Sequence, residues 1–200
     1  MKEILISIQP QWVEKILNGE KTIEIRKTMP KCELPCKVYI YCTQPKKWWA
    51  FSNWGATSDE LLWKMKDKVK MCNGFDVWDY ECEKLNGKVV AEFTLKNIVK
   101  FDIKSLIFFG KEKELMQKSC VGGVSLKEYL GDKIGYAWGI DNLVVYEKPK
   151  YLSEFGRKCL QASEIHCRDC EHNKKWNECC GVMIKPIKKP PQSWCFVERS

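Results

Sequence analysis

The sequence predicts an α+β domain built on a small β-barrel with flanking helices, followed by a short Cys-rich C-terminal extension. Short strand-like and helix-like segments follow one another in the order β-α-β-β-(α)-β-α-β. Hydrophobic residues make up 44% of the 200 residues, which is enough for a core. The chain becomes polar, basic and Cys-rich after about Tyr151. We therefore expect a domain at residues 1–155 and an extension at 156–200.

The N-terminal segment predicts a strand and then a helix. Ile4–Ile8 is a run of β-forming residues. In the following PQWVEKILNG, Pro10 suits the first helical position and Gly19 suits the residue just beyond the helix. The apolar stripe of this helix consists of Trp12, Val13, Ile16 and Leu17.

The segment TIEIR predicts a second strand, because apolar and polar residues alternate in it. Ile23 and Ile25 would lie on one face of this strand. Thr22, Glu24 and Arg26 would lie on the other face, with Lys21 at the junction between helix and strand.

Runs of β-branched and aromatic residues predict the remaining strands. They are Lys37–Thr43, the long run Gly87–Phe101, the strand pair or bent strand Tyr136–Pro149, and Trp194–Val197, which could return to the barrel. Two further helices are predicted, a short one at Ser125–Asp132 and one at residues 58–71 with Ser58 as its N-cap.

The charge of the chain favours an anionic partner without identifying one. The net charge is +8, and residues 1–50 carry nine Lys and Arg against five Asp and Glu. No run resembles an export signal or a membrane span, so we expect a cytoplasmic protein. The twelve Cys then indicate thiols or metal ligands. The alternative, an extracellular disulfide protein, would need an export signal.

Four segments resemble the ASCH family, a branch of the PUA-like barrels. They are ISIQPQWVEKILNGEKTIEIRKTMP, KVYIYCT, GKVVAEFT and YAWGIDNLVVYEKPKYLSEF, and the likeness covers roughly residues 3–155. Its most specific part is the pattern G-x-K-x-x-E-x-R at Gly19, Lys21, Glu24 and Arg26. The closing PPQSWCFVE resembles proteins of this type from phages and bacteria.

The resemblance implies a PUA-like β-barrel with a cleft that is lined by the motif, and it implies binding of RNA or a modified nucleotide. Gly19, Lys21, Thr22, Glu24 and Arg26 are the candidate ligand-binding residues. A Glu carboxylate can accept from the exocyclic amine of a base, whereas Lys and Arg can contact phosphate. The alternative interpretation is that Glu24 pairs with Arg26 or a nearby Lys on a solvated strand face.

Two tryptophans are further candidates for ligand binding. Trp48 and Trp49 follow the basic segment CTQPKK in a loop-like stretch, where they could stack on bases. The alternative is a lid over the core, which is a commoner place for Trp.

The alternative function is a hydrolase that acts on acylated cytidine nucleosides or on RNA, with Lys21 and Glu24 as catalytic residues. The resemblance implies that amidohydrolase members use a Lys at the position of Lys21, a Thr three residues later and a distant Glu. Glu24 occupies the Thr position here, which puts that mechanism in doubt, and Thr22 could substitute only weakly. Candidates for the distant Glu are Glu92, Glu112 and Glu114.

The Cys-rich extension predicts a structural zinc site. Cys167 and Cys170 have the two-residue spacing of a metal knuckle, and a short polar segment lacks the core to fold unaided. Candidate ligands are Cys159, Cys167, Cys170 and one of Cys179 or Cys180, with His172 or Cys195 as possible replacements. The alternative is free thiols, or disulfides formed on purification. Cys32, Cys36 and Cys42 are predicted to be small core residues.

Overall fold

The computed structural model describes residues 2–44, 61–66, 68–71, 82–108, 112–158 and 184–199. Within these ranges the chain forms thirteen β-strands, four α-helices and a 3₁₀ turn at Leu152–Glu154. The strands belong to one sheet of seven strands and two sheets of three strands. The predicted α+β class is confirmed, with more sheet than helix in the described part of the chain.

The helices are α1 (Pro10–Leu17), α2 (Ile103–Phe108), α3 (Glu112–Ser119) and α4 (Gly123–Leu130). The large sheet contains β1 (Glu3–Ile8), β3 (Cys36–Cys42), β7 (Lys88–Leu95), β10 (Asp141–Tyr151), β11 (Phe155–Lys158), β12 (Ile184–Pro186) and β13 (Trp194–Arg199). One small sheet contains β2 (Ile23–Arg26), β8 (Ile98–Phe101) and β9 (Gly135–Gly139). The other contains β4 (Leu62–Lys64), β5 (Val69–Met71) and β6 (Glu83–Lys84).

Strand β1 lies inside the large sheet, whose order is β10-β7-β3-β1-β13-β11-β12. It pairs in parallel with β3, with Ile4 beside Val38, and antiparallel with β13, with Ile4 beside Phe196. Parallel neighbours need a crossover, and here α1 and β2 provide it. The end of β1, the start of α1 and the chain leading into β13 consequently meet at one place.

The closed barrel predicted from the sequence is wrong. Among the described strands, β10 and β12 end the large sheet without pairing with each other, and β2-β9-β8 is a separate sheet. The reason is that the chain changes sheets at two corners. One lies at Lys96 and Asn97, between β7 and β8, and the other at Ile140, between β9 and β10. The single strand predicted at Gly87–Phe101 is thus two strands in two sheets.

The helix predicted at residues 58–71 is also wrong in its described part, where β4 and β5 form an antiparallel hairpin. Tertiary hydrogen bonds favour the extended backbone. The Leu62 N–H donates to Asn86 Oδ1 at 2.8 Å, and the Met71 N–H donates to Glu14 Oε1 at 2.9 Å. Asn18 Nδ2 in turn donates to the Val69 carbonyl at 3.0 Å. Packing against α1 thus overrides a helical apolar spacing. Ser58 lies outside the described residues.

Three apolar clusters hold the described elements together. On β1, Ile4, Ile6 and Ile8 enter the main cluster, which also contains Val13 of α1 and Trp138 of β9. Leu5 faces the opposite side, toward a second cluster with Tyr39, Val89, Phe155 and Val197. A third cluster lies between β2 and the helices and is formed by Ile25, Phe101, Leu115, Leu126, Leu130 and Ala137. Strand β1 is therefore buried on both faces.

Several predicted elements are found with shifted ends. The predicted helix at Ser125–Asp132 is α4, and the predicted last strand is β13, which pairs with β1.

Cys36 and Cys42 are buried in the main cluster and Cys32 packs against it, which confirms the prediction that they are core residues. No helix in the described ranges is both long and apolar enough to cross a membrane.

Candidate functional site: a buried Lys–Glu–Arg cluster beside a cleft

A tight turn between α1 and β2 carries Lys21 back toward the core. Gly19 has a φ of +78°, in the left-handed region that glycine adopts readily. The N–H groups of Gly19 and Lys21 donate to the carbonyls of Ile16 and Lys15, each at 3.0 Å. A Cβ on Gly19 would have nothing within 4 Å, so the backbone conformation, and not space, requires glycine. Gly19 therefore shapes the turn.

The side chains of Lys21, Glu24 and Arg26 form one buried ionic cluster. Lys21 Nζ lies 3.3 Å from Glu24 Oε2, and Arg26 Nη2 lies 3.0 Å from Glu24 Oε1. Lys21, Glu24 and Arg26 are 2%, 6% and 7% exposed. Glu24 does pair with both cations, as the alternative interpretation expects, but the face is buried and not solvated. Two cations share one carboxylate, so the cluster carries a net positive charge when all three groups are ionised.

Backbone carbonyls complete the environment of the two cations. Lys21 Nζ donates to the Ser119 carbonyl at 2.6 Å, at the end of α3, and lies 5.3 Å from the centre of the Trp12 ring. Arg26 Nη2 donates to the Ser7 carbonyl at 2.7 Å, and Nη1 donates to Ser193 Oγ at 3.3 Å. Arg26 Nε is buried and has no hydrogen-bond partner among the described residues.

Burial lowers the pKa of Lys21 below its ordinary value, because the ammonium loses hydration. The neighbouring Glu24 carboxylate opposes this effect, whereas Arg26 adds to it. The folded protein therefore holds the Lys21 proton less tightly than an exposed lysine would.

The cluster borders a cleft of about 820 Å³. Ser7 and the start of α1, from Pro10 to Trp12, form one side of the cleft, and Pro190–Ser193, just before β13, form another. Ser125 and Tyr129 of α4 line it as well. The Pro190–Ser193 segment is tied to β1, since Ser7 Oγ donates to the Pro191 carbonyl at 2.7 Å and the Ser7 N–H donates to the Ser193 carbonyl at 2.9 Å.

The structure brings Lys21, Glu24 and Arg26 together but leaves Thr22 out. Thr22 precedes β2, is exposed and is not among the residues that line the cleft. Its N–H donates to the Lys118 carbonyl at 2.9 Å, and its carbonyl accepts from Ile140 at 2.9 Å. Thr22 is thus a backbone link between β2, α3 and the corner at Ile140. Trp48 and Trp49 lie outside the described residues.

The glutamates considered as a distant catalytic partner do not line the cleft. Glu92, on β7, forms an ion pair with Lys37 at 2.8 Å and accepts from Tyr146 at 2.5 Å. Glu114 pairs with Lys118 on the surface of α3, and Glu112 lies at the start of the same helix. Glu24 is therefore the carboxylate that the described chain places at the cleft.

Sequence reasoning missed four contributors to the site, namely Ser7, Ser119, Ser193 and Tyr129. Ser7 and Ser119 act through main-chain carbonyls, which have no sequence signature. Ser193 reaches Arg26 from a segment 167 residues away, which no local pattern reveals. Tyr129 could have been considered from the sequence, because it lies next to the apolar positions Leu126 and Leu130 on a predicted helix.

The described part of the chain contains no group of three or more His, Cys, Asp or Glu side chains arranged to hold a metal ion. The zinc ligands predicted from the sequence, Cys159, Cys167, Cys170, Cys179 and Cys180, all lie outside the described residues, as does His172. Cys195 is buried in the second apolar cluster, where it packs in the sheet.

Comparisons with known proteins give one sequence relative and several structural neighbours. The ASCH domain-containing ribonuclease of Zymomonas mobilis is 39% identical over 46 residues, which span 23% of this chain and only 31% of the relative. No family model matches the chain. The crystal structure of ASCH from Zymomonas mobilis superimposes with a TM-score of 0.53 at 16% identity, over 98% of this chain and 88% of that chain.

Two variants of the Zymomonas protein superimpose comparably. A tyrosine-to-phenylalanine variant gives a TM-score of 0.52 at 16% identity and covers 99% of this chain and 91% of that one. A serine-to-alanine variant gives 0.51 at 16% identity, over 98% and 89% of the two chains. The sequence resemblance is thus confirmed at the level of the fold, and the chain has the fold of the ASCH domain structures.

Proposed function

We propose that this chain binds RNA and holds an unpaired nucleotide in the cleft beside Lys21, Glu24 and Arg26. The observation that carries the proposal is the buried ionic cluster, in which two cations and one carboxylate border a cleft of about 820 Å³. Burying three charged groups is costly, and a protein that only needed stability would do as well with apolar residues there. Binding of a polar ligand that has both hydrogen-bond donors and acceptors would account for the presence of these charged residues.

The chemistry of the cluster suits a nucleotide. Each carboxylate oxygen has two lone-pair directions, so Glu24 can bond Lys21 and Arg26 and still accept from a base amine or a ribose hydroxyl. Arg26 Nε is a donor without a partner among the described residues and could serve a phosphate or base acceptor. The fixed partners of both cations would hold these groups in place before the ligand arrives.

The charge of the chain supports an anionic ligand, because the net charge is +8. The name of the Zymomonas relative, an ASCH domain-containing ribonuclease, supports RNA as that ligand. Contacts between protein cations and RNA phosphates release counterions that were bound to the RNA. Because this release is less favourable at high salt, such binding weakens as the salt concentration rises.

Fluorescence anisotropy with labelled single-stranded RNA, at about 50 mM and about 200 mM salt, tests this proposal. We expect the affinity to fall with salt, and Lys21→Met to weaken binding about tenfold, which is typical for the loss of one charged hydrogen bond. The matched control is Lys104→Met, since Lys104 is 89% exposed and lies outside the cleft. An affinity that ignores salt, or that falls equally in both variants, contradicts the proposal. Circular dichroism shows whether each variant is folded.

A second candidate function is cleavage of the bound RNA, which the lowered pKa of Lys21 favours. A lysine whose pKa is lowered gives up its proton more readily than an ordinary lysine and can then act as a base. It would take the proton of the ribose 2′-hydroxyl, whose oxygen attacks the adjacent phosphorus. The bond to the 5′-oxygen breaks and that oxygen takes up a proton, which leaves a 2′,3′-cyclic phosphate and a 5′-hydroxyl. Arg26 would stabilise the charge that develops on the phosphate oxygens.

Incubation with an RNA that carries a single 2′-deoxy nucleotide separates cleavage from binding. We expect cutting at every accessible site except the deoxy position, and loss of cutting in Lys21→Met. Cutting at the deoxy position would exclude the 2′-hydroxyl as nucleophile. Acetate release from N4-acetylcytidine, lost in Lys21→Met, would instead support the amidohydrolase reaction, in which Glu24 replaces the expected Thr.

A further inference from the structure

Tyr129 is an aromatic residue at the cleft that the ionic cluster does not use. It belongs to α4, whose Leu126 and Leu130 are buried, and its ring lines the cleft while the residue remains 41% exposed. Ser125 lies one helical turn earlier, on the same side of α4, and lines the cleft too. This side of α4 therefore offers an aromatic ring and a hydroxyl to whatever enters.

The surroundings of Tyr129 are cationic and polar. Lys27 Nζ lies 4.7 Å from the centre of the Tyr129 ring, which is a cation–π distance. Burial raises the pKa of Tyr129, while Arg26 lowers it and Glu24 raises it, so the phenol is close enough to respond to both charges. The ring is thus in contact with an exposed lysine and near enough to the ionic cluster to be influenced by its charges.

We propose that Tyr129 is the residue on which a base of the bound RNA stacks, and that Lys27, beside its ring, holds the adjoining phosphate. This inference rests on the proposed RNA binding and adds two binding residues to it. Stacking requires a free base face, which single strands expose and duplexes hide.

Tyr129 and Lys27 would have different physical roles, and the dependence of RNA affinity on salt concentration distinguishes these roles. Tyr129→Leu removes a stacking surface, so we expect an affinity about tenfold weaker with an unchanged dependence on salt. Lys27→Met removes one phosphate contact, so we expect the slope of log affinity against log salt to shrink by about 0.7, as for one contact to a single strand.

The experiment uses the full chain and a short single-stranded RNA with one 2-aminopurine, whose fluorescence falls when its ring stacks. We expect quenching with the native protein and with Tyr129→Phe, which keeps the ring, and its loss with Tyr129→Leu. Tyr151→Leu is the matched control, since Tyr151 is 65% exposed and does not line the cleft. The same sequence in a duplex should bind about tenfold more weakly.

The outcomes distinguish this inference from the function on which it rests. If the native protein binds no RNA, both are overturned. If Lys21→Met weakens binding but Tyr129→Leu keeps both affinity and quenching, only the stacking role is overturned. Equal affinity for the duplex and the single strand would also overturn it. An equal loss of affinity and quenching in Tyr129→Leu and Tyr151→Leu would also overturn the stacking role, because it would show a general effect of removing a tyrosine.

Discussion

The Lys21 ammonium lies 3.3 Å from the Glu24 carboxylate, and their side chains are only 1% and 8% exposed. Arg26 takes the other carboxylate oxygen at 3.0 Å. Glu24 is therefore the single counter-charge of two buried cations in this cluster. Lys21 and Arg26 therefore need this carboxylate to offset the cost of their burial, whereas the partners of a surface ion pair are also stabilised by water.

We expect Glu24→Gln to lower the free energy of unfolding by about 3 kcal/mol or more. The substitution keeps the shape of the side chain but leaves Lys21 and Arg26 buried beside each other without a counter-charge. Urea unfolding of the native and variant proteins measures the difference.

Glu114→Gln is the matched control for that prediction. Glu114 pairs with Lys118 at 2.6 Å, but the two side chains are 68% and 50% exposed. An exposed helical pair contributes only about 0.3–0.5 kcal/mol. Similar losses in the two variants would contradict the view that the Lys21–Glu24–Arg26 cluster is electrostatically coupled.

Stability should also depend on pH through Lys21. Burial lowers its pKa below the ordinary 10.5, so between the folded pKa and 10.5 the unfolded chain binds more protons than the folded one. Stability then rises with pH across that window, because the cost of burying a charged ammonium disappears. We expect the unfolding free energy of the native protein, relative to Lys21→Met, to increase from neutral pH toward 10.5. A flat or falling difference would show that Lys21 keeps an ordinary or raised pKa.

The elements that sequence reasoning predicted are those whose pattern is local. In α1, Pro10 at the start, the buried positions Val13 and Ile16, and Gly19 beyond the end define a helix on their own. The alternation of Glu24 and Ile25 predicted the core position of Ile25, which is buried in the third apolar cluster and also borders the cleft beside Glu24. These features depend on neighbours within a few residues.

Features that depend on distant partners could not be predicted. The apolar spacing at residues 58–71 suits a helix, yet Asn18, Glu14 and Asn86 bond its backbone as strands. Whether a pair such as Glu24 and Arg26 is solvated or buried depends on what covers it, here β1 and the segment before β13. The sheet corner at Ile140 is equally invisible in a run of β-forming residues.

Two core thiols should resist alkylation in the folded protein. Burial raises the pKa of Cys42 to about 12, and burial together with a contact to Cys32 raises that of Cys36 to about 12. The reactive thiolate is then scarce at neutral pH. We expect iodoacetamide to modify both at least about 100-fold more slowly than the partly exposed Cys120, as followed by peptide mass spectrometry. Comparable rates for the three thiols would contradict their burial.

Zinc in the Cys-rich extension stays a prediction. Because thiolate ligation can fold a short polar segment, we expect about one zinc ion per chain in protein purified without chelator. Cys167→Ser should lose the metal, whereas Cys82→Ser, outside the extension, should retain it. Substoichiometric metal, together with Cys167 and Cys170 joined in a disulfide, would mean that something else holds the extension.

Photo-crosslinking of a 4-thiouridine-containing single-stranded RNA tests most directly whether RNA enters the cleft beside Lys21, Glu24 and Arg26. Mass spectrometry of the crosslinked peptides locates the contact without relying on any change in affinity. We predict crosslinks to the β2 segment and to α4, near Tyr129, and a lower yield of these crosslinks in Lys21→Met at the same RNA concentration. Crosslinks confined to the β7 and β10 region, and unaffected by Lys21→Met, would contradict this prediction.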